Sequence, residues 1–118
     1  MVTIKSYTDI EQSKVLANIL PLESADMMWE QHYNNNEPYV TIKPHTTIGK
    51  SINCHCCNCW SLAALFSVLP EIQGSKPIID LNDNYITYPH ISDLHTKADN
   101  PIDACVAMIE KLYELKLI

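Results

Sequence analysis

The chain has 118 residues, enough for one domain (1–118) with a real core, and its 47% hydrophobic and 19% charged residues are those of an ordinary globule. The net charge is −6, and all eight basic residues are lysines with no arginine among them, which disfavours direct nucleic-acid binding. Two glycines build no phosphate-cradling loop or dinucleotide fingerprint, and no apolar run approaches the ~20 residues that span a bilayer.

The N-terminal stretch from Met1 to Lys14 lacks the apolar run of a signal peptide, so a cytoplasmic address is expected. Thr8-Asp9-Ile10-Glu11 reads as a capping box with Thr8 at the N-cap. Ile10, Val15, Leu16, Ile19 and Leu20 fall on one helical face, and Pro21 ends a helix expected from Asp9 to Leu20. Met27 to Tyr33 and Tyr39 to Lys43 are strand-like around a turn at Asn34-Asn35-Asn36-Glu37-Pro38, giving a hairpin. Met27, Met28 and Trp29 read as packing residues, or as an exposed strand at an interface. Pro44 to Asn53 reads as a polar loop.

Ser61 is a fitting N-cap, and Leu62, Leu65, Phe66 and Leu69 at i, i+3, i+4 and i+7 make an apolar stripe that Pro70 closes. A helix of about two turns is marginal alone, so this one is expected to be held by packing, with Trp60 beside it. Everything before and after reads as arranged to cover that helix. Pro77 to Leu81 and Tyr85 to Tyr88 form a second hairpin around Asn82-Asp83-Asn84, and Ile91 to Asp99 looks irregular. Asn100 as cap, Pro101 at the first helical position and Asp103 in the first turn open the last helix. Its apolar face is Ile102, Cys105, Val106, Ile109, Leu112 and Tyr113. The expected fold is α+β, ordered helix–hairpin–helix–hairpin–helix, with an antiparallel sheet carrying the helices on one face.

The densest group of potential ligands is Cys54, His55, Cys56, Cys57 and Cys59. Zinc takes four such ligands in a tetrahedron, normally as two pairs from separate segments. Here the two C-x-x-C pairs interleave, so a second segment would have to supply His32, His45, His90 or His95. Thiolates this close also suit Cu(I). The plainer reading makes Cys59 a small buried residue beside Trp60, with the other cysteines in a loop. Asp80, Asn82 and Asn84 match the opening of a calcium loop, but Tyr85 and Ile91 stand where its glycine and glutamate belong, so they read as a hairpin turn. Asp93, His95, Asp99 and Asp103 contain a carboxylate–histidine pairing, though acids at a helix start are expected anyway. Ser61 and Ser67 lack a nucleophile-elbow context. No catalytic, cofactor-binding or metal-ligand residue is assigned.

Three fragments carry a resemblance: Ala25-Asp26-Met27-Met28-Trp29, then Cys59-Trp60-Ser61-Leu62 with its Leu69-Pro70 ending, then Asn100-Pro101-Ile102-Asp103-Ala104-Cys105. In this order, over most of the chain, they resemble the recurring blocks of a family of small uncharacterised proteins from gut-dwelling bacteria and their phages and mobile elements. The cysteine-dense loop departs from that family's pattern, and the family lends no activity to any residue. The expected function is that of a non-catalytic cytoplasmic accessory domain that binds another protein, with a homo-oligomer not excluded. The alternative is a thiol-based zinc or copper protein using Cys54, Cys56, Cys57 and Cys59, and the third reading is an enzyme of unrecognised type.

Overall fold

A computed structural model describes residues 5–34, 37–44 and 57–118, with side chains described over 5–27 and 58–118. The elements in order are α1 (Ile10–Ala17), a 3-10 turn (Leu22–Ser24), β1 (Met27–Asn34), β2 (Glu37–Pro44), β3 (Cys57–Cys59), α2 (Leu62–Val68), β4 (Ile78–Asp80), β5 (Tyr85–Thr87), β6 (His95–Lys97) and α3 (Pro101–Glu114). The class is α+β. The two hairpins do not share a sheet: β2-β1-β3 and β4-β5-β6 are separate three-stranded antiparallel sheets.

Each hairpin gains a third strand that the sequence hides. β3 pairs Met27 with Cys59 and Trp29 with Cys57. β6 pairs Tyr85 with Lys97 and Thr87 with His95, inside the stretch expected to be irregular. Three residues are too few to show a period of two, so neighbours rather than pattern define these strands. The first hairpin is longer than expected, with Asn34 opposite Glu37 and Pro38 opposite Tyr33. Pro38 and Pro44 are accommodated because β2 is an edge strand, where a missing N–H is tolerated. The expected loop beyond Pro44 lies outside the described residues, as do the side chains of Met28 and Trp29.

α1 starts one residue later than expected. Asp9, not Thr8, is the N-cap: its Oδ1 accepts from Gln12 N at 2.8 Å, while Gln12 Oε1 accepts from Asp9 N at 3.1 Å. Thr8 is occupied elsewhere, as described below. The regular helix ends at Ala17, three residues short of the expected Leu20. α2 has its expected cap, with Ser61 Oγ accepting from Ala64 N at 3.2 Å. Its stripe turns inward: Leu65 and Leu69 are buried, and Leu62 and Phe66 pack against the core.

The element that most of the core surrounds is α3 rather than α2. Ile102, Ala104, Cys105, Val106, Met108, Ile109 and Leu112 are all buried, more of its circumference than one stripe. α2, β5 and β6 pack on it. Asn100 caps it, with Oδ1 accepting from Asp103 N at 2.8 Å. Its far end closes in a Schellman arrangement. Leu117 N donates to Leu112 O at 2.8 Å, Lys116 N donates to Tyr113 O at 3.0 Å, and Lys116 takes a left-handed φ of 60°.

Candidate docking groove

Cys59 is the one member of the cysteine group whose side chain is described. It is fully buried, and its thiol donates to the Thr8 carbonyl at 3.4 Å. Thr8 Oγ1 also reaches this sulfur at 3.6 Å, accepts from Trp60 N at 3.1 Å and shares a 2.8 Å hydrogen bond with Ser13 Oγ. Thr8 N in turn donates to Trp60 O at 2.9 Å. Thr8, Ser13, Cys59 and Trp60 thus form a satisfied polar seam joining the N-terminal segment to β3, which is why Thr8 does not cap α1. The Trp60 indole donates to Ser24 Oγ at 2.9 Å, as a buried Trp N–H must find an acceptor. Cys54, His55, Cys56 and His45 lie outside the described residues, as do the side chains of Cys57 and His32. Among the described residues no group of three or more His, Cys, Asp or Glu side chains is placed to hold a metal.

The acidic group around α3 is divided among separate tasks. His95 stacks on Tyr85, with ring centroids 5.9 Å apart, and both line an open cleft of about 350 Å³ with His90 and Ser92. The Asp99 carbonyl accepts from Asn84 Nδ2 at 2.9 Å. Asp103 faces the other way, accepting from Lys5 Nζ at 2.8 Å, Gln12 Nε2 at 2.7 Å and Asn100 Nδ2 at 2.9 Å. Burial alone would raise its carboxyl. The hydrogen bonds from Lys5, Gln12 and Asn100, with the Lys5 charge, outweigh that and hold it below the ordinary carboxylate range. Burial likewise opposes the charge on Lys5, and its bonds to Asp103 and Asp9 more than compensate, so its pKa is raised. Asp103 therefore starts its helix, as its position suggested, and also ties α3 to α1.

The remaining motifs resolve as local structure. Asp80 Oδ1 accepts from Asn82 N at 2.9 Å and Asp83 N at 3.3 Å, making a side-chain-supported hairpin turn with Asn84 at φ 52°. Ser61 donates through its backbone N to Asp26 Oδ1 at 2.9 Å and through its hydroxyl to Asp26 Oδ2. Ser67 Oγ donates to the Ala63 carbonyl at 2.8 Å.

Two residues assigned to buried faces are exposed, and they meet in one place. Val15 of α1 is 42% exposed and Tyr113 of α3 is 50% exposed. With Asn18, Ile19, Glu110 and Glu114 they line a groove of about 360 Å³. For Val15 the cause is angular: Ser13 before it and Leu16 after it are fully buried on another side of α1. Tyr113 shares the helical face of Ile102, Val106 and Ile109 but stands a turn beyond Ile109, where the cover on that side has ended although Leu112 on the adjacent side is still buried. Gln12 meets Asp103 at one end of the pair, while Asn18 and Ile19 meet Glu110 to Glu114 at the other. From these first contacts α1 advances about 8 Å to its end at Ala17 and α3 about 10–16 Å to Glu110 and Glu114 at 1.5 Å per residue, so the two helices have the same polarity. They are clamped at their N-terminal ends and open at their C-terminal ends. The signal overlooked in the sequence is the acidic pair Glu110 and Glu114 flanking a tyrosine at the end of an otherwise apolar helix face.

No helix among the described residues is long and apolar enough to cross a membrane. No family model matches the chain, and neither a curated protein nor a solved structure matches it.

Proposed function

We propose that this chain is a small non-catalytic accessory domain that works in the cytoplasm by binding another protein, and that the α1–α3 groove is where it binds. The observation that carries this reading is the coincidence of Val15, Ile19 and Tyr113 at one surface between two helices. Single exposed apolar residues are ordinary, whereas apolar side chains gathered in a groove with polar groups at its rim mark a contact surface. The exposed Leu115 and Leu117 follow Tyr113 in the chain, and the Schellman turn fixes their path. The helices as a single layer over one face of the strands, and kinship with the small gut-bacterial and phage proteins, belong to the same proposal.

The test is photo-crosslinking in expressing cells from p-benzoylphenylalanine placed at position 113, with position 82 in the exposed β4–β5 turn as control. A discrete adduct from position 113 that disappears with Val15→Glu is expected. Adducts no stronger than those from position 82, or insensitive to Val15→Glu, overturn the proposal.

A further inference from the structure

We infer that the occupant of the α1–α3 groove is an amphipathic helix of a partner, with an apolar stripe flanked by lysine or arginine. This rests on the reading of the groove as a docking surface and adds the chemistry of what docks there.

The groove walls are side chains of α1, the turn that follows it and α3, and among the described residues no strand edge lines them. An extended peptide would find no ladder of backbone partners here, whereas a helix satisfies its own amides and needs only apolar contact. The apolar floor is narrow: Val15 in the last turn of α1 and Ile19 just past its end, with Tyr113 across from them on α3. Anchors at i and i+3 or i+4 of an incoming helix suit so narrow a floor. A small molecule fits less well, because a site whose Val15 and Tyr113 are about half exposed does not enclose a ligand.

Charge selects among helices. The titratable lining groups are Glu110, Glu114 and Tyr113, and among the described residues no lysine lines the groove. Lys14 and Lys111 lie in the same stretches of α1 and α3 but not in its wall. Both helices also present their C-terminal ends on this side, where the backbone dipole is negative. The whole chain carries −6, which adds attraction for a basic partner at longer range. The same charges oppose a second copy of this chain, since a two-fold pairing through the groove would set Glu110 and Glu114 against their own images.

The experiment uses three synthetic helical peptides of about 15 residues, roughly four turns. They share a leucine stripe and differ only in carrying Lys, Gln or Glu at the flanks. Binding to the full chain is followed through the methyl resonances of Val15 and Ile19. The Lys-flanked peptide is expected to shift both resonances and to bind about tenfold more tightly than the Gln-flanked one. That advantage is expected to vanish with Glu110→Gln/Glu114→Gln, and to shrink several-fold between about 50 mM and 500 mM salt. Both glutamates are exposed, so the double variant is expected to keep its fold, and its thermal melt verifies that. Equal or tighter binding of the Gln- or Glu-flanked peptide at these methyls overturns the basic-helix inference and leaves the groove a docking surface. Shifts confined to another face also overturn it, as do dimers of this chain formed by the position-113 crosslinker. Silence from all three peptides together with no adduct from position 113 overturns the docking reading as well.

Discussion

Replacing Asp103 by asparagine removes one charge and almost no volume, so it isolates the clamp between α1 and α3. Three donors converge on this carboxylate, Lys5 at 2.8 Å, Gln12 at 2.7 Å and Asn100 at 2.9 Å. The Asp103 side chain is 35% exposed, and solvent screening limits the Lys5 ion pair to ~1 kcal/mol or less. Turning one acceptor oxygen into an amide nitrogen among donors removes a further ~1 kcal/mol. The expected loss is ~1–2 kcal/mol near neutral pH, about 4–8 °C in Tm for a domain of this size. The pH dependence gives the sharper test. The folded protein holds the Asp103 carboxyl below its ordinary value, so the proton binds more weakly there than in the unfolded chain. Its contribution is complete above the ordinary carboxylate value and fades as pH falls through the lower folded one. Urea unfolding of both proteins should therefore show a gap near pH ~7 that closes towards pH ~2. A double-mutant cycle with Lys5→Met should give a positive coupling that weakens in high salt. An Asp103→Asn protein as stable as its parent at neutral pH, or a gap unchanged in acid, would refute the clamp.

Further outcomes follow from the same geometry. Tyr88 is buried and its hydroxyl donates to the Pro70 carbonyl at 2.7 Å, so Tyr88→Phe should cost ~1 kcal/mol in urea melts. Burial raises the Tyr88 phenol to about 12, so the folded state keeps this proton after the unfolded chain has lost it. Stability should then fall as pH rises towards that value, less steeply in the phenylalanine variant. Cys59 and Cys105 are buried, and burial pushes the Cys105 thiol to about 12. Mass-spectrometric mapping after iodoacetamide should find both unmodified in the native protein and modified after unfolding; native labelling at the denatured rate would show them accessible. Leu65 is fully buried on α2, and Leu65→Ala should lower stability by ~2–5 kcal/mol, a smaller loss meaning that α2 is not anchored as described. Lys116 holds a φ of 60° at the end of α3, so Lys116→Gly should raise Tm by relieving ~1 kcal/mol of backbone strain, and a lower Tm would argue against the Schellman turn.

What could be read in the sequence was whatever is decided locally. The caps of α2 and α3 rest on Ser61 and Asn100, short polar side chains that act on neighbours three residues away. The Asp80 turn is equally local. Thr8 was read as the cap, and Asp9 holds that place because Thr8 is drawn into the seam with Trp60, more than fifty positions along the chain. The short strands β3 and β6 exist through their pairings with β1 and β5, which no window of sequence around them contains. Tyr113 was misjudged because a helical wheel projects away the axis: it tells which side of a helix is apolar but not where along it the cover on that side stops. Val15 was misjudged because it lies well round the helix from the buried Ser13 and Leu16. The candidate groove was invisible because it depends on how α1 and α3 lie against each other, which neither helix reports alone.

The Lys5–Asp103 bond joins positions 98 apart in the chain. During synthesis α1 leaves the ribosome before both of its partners: first the strand β3, which it meets through the Thr8–Trp60 seam, and much later α3, which it meets through Asp103. The clamp to α3 is then the last of these contacts to become available, so the groove between the two helices does not exist until the whole of α3 has been made.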